Sequence, residues 1–146
     1  MTNTIKVFTD GASRGNPGLA GLGVAVLSTE DRVIETYKKF IGKCTNNFAE
    51  YTALIEAVKL LKRIDYRFDD INFYLDSELV VKQITGSYKI KHKDLIALSL
   101  EFWKEIRSLN KKFSICHIPR EENKLADKLA NEAIDENNLI ENKINN

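Results

Sequence analysis

A change of hydrophobic period near residue 46 constrains the fold of this chain more than any other feature. Before it, three segments alternate apolar and polar residues as strands do, at residues 4–9, 20–27 and 32–41. Short connections rich in turn-forming residues join these segments. From residue 46 to residue 64 the apolar side chains recur at helical spacing. A helix after three antiparallel strands carries the chain back along the sheet, so the next strand pairs in parallel with an earlier one.

The remaining segments extend this order to βββαβααβα. They predict a strand, a short helix, a longer helix, a strand and a last helix at residues 71–75, 78–84, 94–109, 113–118 and 122–136. Such an order predicts an α/β fold: a mixed five-stranded sheet with helices on both faces.

Size and composition favour one globular domain in a chain of 146 residues. We place that domain at residues 1–137 and expect a polar, frayed tail at residues 138–146. No apolar segment approaches the roughly 20 residues that cross a bilayer, and no leader pattern opens the chain, so we expect a cytosolic protein without membrane contact. The cysteines, Cys44 and Cys116, form no CxxC pair and are expected to be buried reduced thiols.

The near-neutral charge does not by itself indicate a nucleic-acid partner. Lys and Arg number 22 and Asp and Glu number 21, whereas a strongly basic chain would suggest binding to phosphates along its whole surface. Any nucleic acid must therefore be bound by a local patch.

Two predicted strands end alike, each running into an aspartate and a small residue. Residues 7–11 read VFTDG and place Asp10 there, and residues 73–77 read FYLDS and place Asp76 there. If the strands are parallel neighbours, about 4.8 Å apart, both carboxylates lie at one edge of the sheet. Two ionised carboxylates at that distance raise one another's pKa unless a cation lies between them, so a divalent metal is expected.

Two further carboxylates are placed to join them. Glu50 falls in the first turn of the long helix, and Asp127 in the first two turns of the last one. Taken singly, each residue has an ordinary interpretation: a turn for Asp10, a helix cap for Asp76, a favourable charge near the helix start for Glu50, a solvated charge for Asp127. Their predicted convergence favours a site for a hard ion, Mg²⁺ or Mn²⁺ rather than zinc.

Four segments together resemble the type 1 ribonuclease H family, in the short form that lacks a basic protrusion. They are residues 9–18 (TDGASRGNPG), 45–53 (TNNFAEYTA), 75–77 (LDS) and 123–130 (NKLADKLA), in the family's order. The resemblance implies the ribonuclease H-like fold and endonucleolytic hydrolysis of the RNA strand of RNA/DNA hybrids, leaving 5′-phosphate and 3′-hydroxyl ends.

The resemblance also implies roles for the acidic residues. Asp10, Glu50, Asp76 and Asp127 would hold two Mg²⁺ ions, with Mn²⁺ as a substitute. Asp10 would bridge both ions, Asp127 would bind the ion that activates the attacking water, and Glu50 and Asp76 the ion at the leaving oxygen.

Substrate contacts are implied in the same way. Ser13, Gly15 and Asn16 match positions that touch the minor groove of the hybrid and its 2′-hydroxyls, which distinguish RNA from DNA. Thr45, Asn46 and Asn47 match positions that contact the DNA strand. For Gly15, turn geometry is an equally good explanation.

The sequence departs from the family in two places. Many members carry a histidine in the loop before the last helix, but residues 118–123 (IPREEN) contain none. Arg120, Glu121 or Glu122 are the candidates to replace it, and His117 is interpreted as a structural residue of its strand.

The basic protrusion is missing as well, which leaves residues 86–93 (GSYKIKHK) as the best basic patch. Tyr88, Lys89, Lys91 and Lys93 are expected either to contact backbone phosphates or to form an ordinary solvated loop.

Three functions stay open at this point. The first is an active ribonuclease specific for the hybrid. The second is a non-catalytic or weakly active binder of hybrid or double-stranded RNA, and the third is a two-metal nuclease with another duplex as substrate, DNA or RNA. We expect a monomer.

Overall fold

The computed structural model describes residues 2–145; Met1 of the predicted domain and Asn146 of the predicted tail lie outside the described residues. The elements follow the predicted order and include a short 3₁₀ turn, Arg120–Glu122, before the last helix. Their bounds are β1 (Thr4–Gly15), β2 (Gly18–Leu27), β3 (Val33–Cys44), α1 (Asn46–Leu61), β4 (Asp70–Leu75), α2 (Glu78–Ile84), α3 (Lys93–Leu109), β5 (Lys112–His117) and α4 (Lys124–Asn145).

The five strands form one mixed sheet in the order β3-β2-β1-β4-β5. The hairpins β1-β2 and β2-β3 are antiparallel, whereas β4 lies parallel to β1 and β5 lies parallel to β4. This confirms the predicted mixed sheet and its parallel crossover.

Helices α1 and α4 pack against the sheet where glycines allow a close approach. A Cβ atom on Gly11 would lie 2.3 Å from the carbonyl carbon of Ala49 in α1, and one on Gly23 would lie 2.2 Å from the Ala126 oxygen in α4. Gly11 is paired with Leu22, next to Gly23 in β2, and successive residues of a strand point to opposite faces. The two helices therefore cover opposite faces, as predicted.

Strand β1 is longer than the sequence predicted. Only its parallel pairing with β4 stops at Thr9, opposite Leu75. Its antiparallel pairing with β2 continues as far as Gly15, opposite Gly18. The glycine-rich stretch at residues 11–18 predicts a loop, and this is wrong for residues 11–15, which stay in β1 because β2 satisfies their backbone; the turn itself is a tight hairpin.

Helix α4 is also longer than predicted. The predicted end near Glu136 is wrong, because residues 138–145 continue the helix to Asn145; fraying of this end stays a prediction. The segment contains neither glycine nor proline, so nothing in it stops a helix, although Leu139, Ile140 and Ile144 are exposed. The bounds of the domain stay a prediction. Within residues 2–145, no helix combines the length and apolar character of a membrane span.

Two side chains of the edge strand β5 correct further expectations. Cys116 and His117 are both exposed, and Cys44 is only partly buried. The expectation of buried thiols is therefore wrong for Cys116, and a structural role for His117 inside the protein is wrong as well. Their apolar neighbours in sequence suggested a buried strand, but β5 lies at the edge of the sheet and pairs with β4 alone.

Candidate active site

Three carboxylates meet where the pairing of β1 with β4 ends. Asp10 and Asp76 directly follow the last paired residues, Thr9 and Leu75. Glu50 lies just past the first turn of α1, which Gly11 allows to approach the sheet. One carboxylate oxygen from each of Asp10, Glu50 and Asp76 lies within 4.8 Å of the other two.

Two carboxylates of this group, Asp10 and Glu50, are buried, while Asp76 is partly exposed. Asp10 is 3% exposed and Glu50 is 6% exposed. No ion pair found among residues 2–145 includes any of the four acidic residues Asp10, Glu50, Asp76 and Asp127. Among the described residues, therefore, no ion pair compensates for the loss of hydration at the buried Asp10 and Glu50.

The pKa values of the two buried carboxyls reflect this environment. Burial raises the pKa of Asp10 to about 7; repulsion from Asp76 and Asp127 acts in the same direction, and the hydrogen bond with Glu50 opposes it. Burial also raises the pKa of Glu50 well above its usual range, and the neighbouring charge of Asp10 adds to the effect. Without a cation, the pair holds at least one proton near neutral pH.

Asp127 approaches the group from α4. Its carboxylate is partly exposed and close enough to Asp10 to raise the pKa of that residue. It is not among the three carboxylates that lie within 4.8 Å of one another. Both Asp10 and Asp127 line an open cleft of about 340 Å³, together with Ser13, Asn46 and Arg120. The four predicted acidic residues are thus at one end of the sheet, with Asp127 at the rim.

A buried asparagine that sequence reasoning did not select ties these elements together. Asn123 is 1% exposed, and its Nδ2 donates to the Thr9 carbonyl at 2.9 Å and to Asp76 Oδ2 at 2.8 Å. The backbone carbonyl of Asn123 accepts from the backbone N–H of Asp127 at 3.1 Å. One residue therefore links the end of β1, the carboxylate that follows β4 and the start of α4. The available signal was an asparagine directly before a helix, which by itself indicates only a cap.

The six predicted substrate-binding residues lie on one continuous surface. The backbone N–H of Ser13 donates to Asn46 Oδ1 at 3.2 Å, and that of Asn46 donates to Asn16 Oδ1 at 3.1 Å. These bonds join the tip of the β1-β2 hairpin to the start of α1, and Gly15 lies in the same hairpin. Thr45 caps the helix by accepting from the N–H of Phe48 at 3.2 Å, and Asn47 follows in the first turn.

The three residues expected to replace the family's loop histidine lie in different places. Arg120 lines the same cleft as Asp10 and Asp127. Glu122 lines a different, mainly apolar pocket beside Phe8, and Glu121 is exposed in the 3₁₀ turn. The structure therefore brings only Arg120 to the carboxylates.

The basic patch lies in the segment that joins α2 to α3. Tyr88, Lys89 and Lys91 are exposed there, and Lys93 begins α3. Lys82 of α2 places its ammonium 4.9 Å from the centre of the Tyr88 ring. This cation–π contact holds Tyr88 against α2.

The chemistry of the carboxylates fits a divalent metal. All the donors are carboxylate oxygens, which suit hard ions, and Glu50 Oε2 is buried without a hydrogen-bond partner. An unpaired buried oxygen and several unneutralised charges both call for a cation in the same place.

A family model described as reverse transcriptase-like matches residues 8–133. Ribonuclease HI of Halobacterium salinarum is 41% identical over 132 residues, which are 90% of this chain and 65% of that protein. A bifunctional protein of Mycobacterium tuberculosis is 38% identical over 90% of this chain and only 35% of its own length. Ribonuclease H of Clostridium botulinum is 32% identical, with 92% of this chain and 98% of that protein covered. The chain thus spans two thirds or less of some relatives and nearly all of others.

Two solved structures are similar over most of this chain. The crystal structure of RNase H1 from Halobacterium salinarum has a TM-score of 0.85 at 40% identity and covers 91% of this chain and 98% of its own. LC11-RNase H1 in complex with an RNA/DNA hybrid has a TM-score of 0.81 at 37% identity and covers 90% of this chain and 97% of its own.

Proposed function

The chain belongs to the ribonuclease H family, and we propose that it is an endoribonuclease that hydrolyses the RNA strand of RNA/DNA hybrids. The observation that carries the proposal is the meeting of Asp10, Glu50 and Asp76 without a protein cation, beside a cleft that also holds Asp127. The similar LC11-RNase H1, whose structure contains an RNA/DNA hybrid, supports the choice of substrate.

Asp10, Glu50, Asp76 and Asp127 would hold two divalent ions, Mg²⁺ in the first place and Mn²⁺ as a substitute. When bound, such ions supply charge neutralisation and a reactive water for an in-line displacement that leaves 5′-phosphate and 3′-hydroxyl ends. The protein's own part is to hold the four carboxylates together and oriented. Asn123 contributes by donating to Asp76 and by accepting from the backbone of Asp127.

The surface from Ser13 to Asn47 is proposed to select the hybrid. The Ser13 hydroxyl donates its one hydrogen to the Cys44 carbonyl at 2.8 Å or to the Gly15 carbonyl, so toward a 2′-hydroxyl it can act only as an acceptor. Asn16, Thr45, Asn46 and Asn47 add uncharged groups beside it. Neutral donors and acceptors recognise the sugar of one strand without demanding a particular base.

Arg120 is proposed to act where many relatives have a histidine. A guanidinium keeps its proton at all relevant pH values, so Arg120 would bind and orient a phosphate and would not carry a proton. We expect Arg120→Lys to retain part of the activity that Arg120→Ala loses. A role in proton transfer would instead be indicated if Arg120→His exceeded the wild type with a new pH optimum.

Tyr88, Lys89, Lys91 and Lys93 are proposed to contact the backbone of the hybrid. Each phosphate contact adds about 0.9 to the slope of log binding constant against log salt concentration. We expect the double variant Lys89→Ala/Lys91→Ala to reduce that slope by about 2 and to raise KM without changing kcat. An unchanged slope would identify the segment as a solvated loop.

A panel of substrates tests the proposed function. Labelled RNA/DNA hybrid, double-stranded RNA, double-stranded DNA and single-stranded RNA are incubated with the protein in Mg²⁺ and, separately, in EDTA. The proposal predicts cleavage of the RNA strand of the hybrid in Mg²⁺ alone, with fragments that a ligase requiring a 5′-phosphate can join. Hybrid binding without cleavage in Mg²⁺ or Mn²⁺ would support the non-catalytic binder, and preferential cutting of another duplex would change the substrate class. A monomeric state and a cytosolic location stay predictions.

A further inference from the structure

A chain of side chains connects the β1-β2 hairpin to Asp127 through Arg14. Arg14 Nη1 donates to Asp135 Oδ1 at 2.6 Å. Its Nη2 donates to the backbone oxygen of Asn131 at 3.4 Å and to Asn131 Oδ1 at 3.3 Å. Asn131 Nδ2 in turn donates to the backbone oxygen of Asp127 at 3.0 Å and to its Oδ1 at 3.3 Å.

Arg14 and Asp127 together determine the orientation of the Asn131 amide: Asp127 oxygens accept from its Nδ2, and Arg14 donates to its Oδ1. An amide offers an oxygen that accepts at one end and an NH₂ group that donates at the other. Because the guanidinium can only donate, it attracts the amide oxygen and leaves the NH₂ group for the Asp127 carboxylate. With the amide reversed, two acceptors would face each other at Asp127 and two donors at Arg14. The guanidinium is itself held in place by Asp135, one helical turn further along α4.

Asp127 is the carboxylate that most needs such support. Asp10, Glu50 and Asp76 are within 4.8 Å of one another, but Asp127 stands outside that group at the rim of an open cleft. It is also partly exposed, so packing alone restricts its side chain less than that of Asp10. Asn131 lines the same cleft and donates to one of the two Asp127 oxygens.

We propose that Arg14 and Asn131 are positioning residues for Asp127: Arg14 orients the Asn131 amide, and the amide fixes one oxygen of Asp127 so that the other faces the cleft. This inference rests on the proposed function and deepens it, because a fixed Asp127 binds a divalent ion more tightly. Hydrogen-bond partners of ligand carboxylates typically contribute about 10-fold to 100-fold in metal affinity or activity.

The chain offers a matched control for the ion pair itself. Lys38 of β3 also reaches α4, where it binds Glu132 at 3.2 Å and Glu136 at 2.6 Å. This contact joins the sheet to the same helix and the same turns but makes no bond with Asn131 or Asp127. Lys38→Ala therefore reports what a lost clamp between sheet and helix does to stability alone.

The first experiment reads out the amide and the metal without substrate. The Asn131 side-chain resonances are followed by NMR in the wild type, Arg14→Ala, Arg14→Lys and Lys38→Ala. Mn²⁺ binding is measured by calorimetry in the same four proteins and in Asn131→Ala, which lacks the amide. We expect Arg14→Ala to shift the Asn131 resonances and to weaken Mn²⁺ binding by about 10-fold, as Asn131→Ala does. Arg14→Lys, which lacks the forked geometry, should recover only part of that affinity. Unchanged Asn131 resonances in Arg14→Ala, or equal weakening in Lys38→Ala, would overturn the proposal.

The second experiment separates positioning from direct contact with the hybrid, because Arg14 is exposed and carries a positive charge. If Arg14 acts by positioning Asp127 through Asn131, Arg14→Ala should lower kcat and raise the Mg²⁺ concentration needed for half-maximal rate. The KM for the hybrid should stay unchanged. The double variant with Asn131→Ala is then no worse than Asn131→Ala alone. A raised KM, an unchanged Mg²⁺ requirement and additive losses would show that Arg14 contacts phosphate instead.

Failure of the proposed function has a different signature. If the wild type cuts no hybrid, the function is wrong, while the NMR and calorimetric results still decide whether Arg14 and Asn131 position Asp127.

Discussion

Replacing Asp10 with asparagine should stabilise the metal-free protein, by an amount that grows with pH. In the folded protein burial raises the pKa of Asp10 from 3.8 to about 7. Between these values the folded state keeps a proton that the unfolded chain has released. The wild type is therefore most stable, with respect to this group, below about pH 4, and it loses that contribution as the pH rises through about 7. The asparagine side chain of the variant carries no charge at any of these pH values.

The size of the effect follows from the same two values. At about 1.4 kcal/mol for each pH unit, the difference between 3.8 and about 7 corresponds to about 4 kcal/mol at pH 8. The variant minus wild-type difference in unfolding free energy should thus rise from near zero at pH 4 to about 4 kcal/mol at pH 8. The variant also removes the repulsion between Asp10 and Glu50, which helps to raise the pKa of Glu50, and this adds to the stability gained.

Urea unfolding in EDTA, followed by circular dichroism from pH 4 to pH 8.5, measures this difference. Glu105→Gln is the matched control of opposite sign, because Lys62 lowers the pKa of Glu105; its loss should cost stability at neutral pH and nothing in acid. Adding Mg²⁺ should shrink the difference, since one bound ion at 100 times its Kd contributes about 2.7 kcal/mol to the wild type, and two ions bound in this way would reverse it. A difference that stays flat with pH, or a wild type that gains stability relative to Asp10→Asn as pH rises in EDTA, would refute the reasoning.

Three further perturbations test the framework around the carboxylates. Asn123→Ala should cost about 1–3 kcal/mol and at least about 10-fold in hybrid cleavage, because it leaves buried groups unpaired; Asn72→Ala, which removes an exposed bond to Ser114, should change neither in urea unfolding and cleavage assays. Gly23→Ala should lower thermal stability by about 1–3 kcal/mol and reduce cleavage, because a Cβ there would lie 2.2 Å from the Ala126 oxygen and displace α4. An unchanged melting temperature would contradict the close approach of helix and strand. Deleting residues 139–146 should leave cleavage unchanged and stability within about 0.5 kcal/mol, since Leu139, Ile140 and Ile144 are exposed; a large loss of either would show that the helix end supports the site.

Much of the fold could be predicted because local patterns determine it. Alternation in β1 and the helical period after residue 46 are each contained in a short segment, and together they require the crossover that makes β1 and β4 parallel neighbours. From that single pairing it follows that Asp10 and Asp76 lie at one edge.

The parts that could not be predicted depend on contacts between distant segments. Asn123 donates to Thr9 across 114 positions, and Arg14 binds Asp135 across 121. Hydrogen bonds of this kind leave no periodic signal, and an asparagine before a helix is ordinarily no more than a cap. The same holds for the extended pairing of β1 beyond Asp10, which depends on β2 and not on the residues of β1.

The central claim is that Asp10, Glu50, Asp76 and Asp127 act together as metal ligands in cutting RNA. Single-turnover cleavage of a labelled RNA/DNA hybrid in Mg²⁺ tests it with four variants of nearly unchanged shape, Asp10→Asn, Glu50→Gln, Asp76→Asn and Asp127→Asn. We predict metal-dependent cleavage by the wild type and a loss of at least about 100-fold in each variant, with hybrid binding retained. A variant that cuts within about threefold of the wild-type rate would contradict the assignment of its carboxylate, and a wild type indifferent to Mg²⁺ would contradict the whole account.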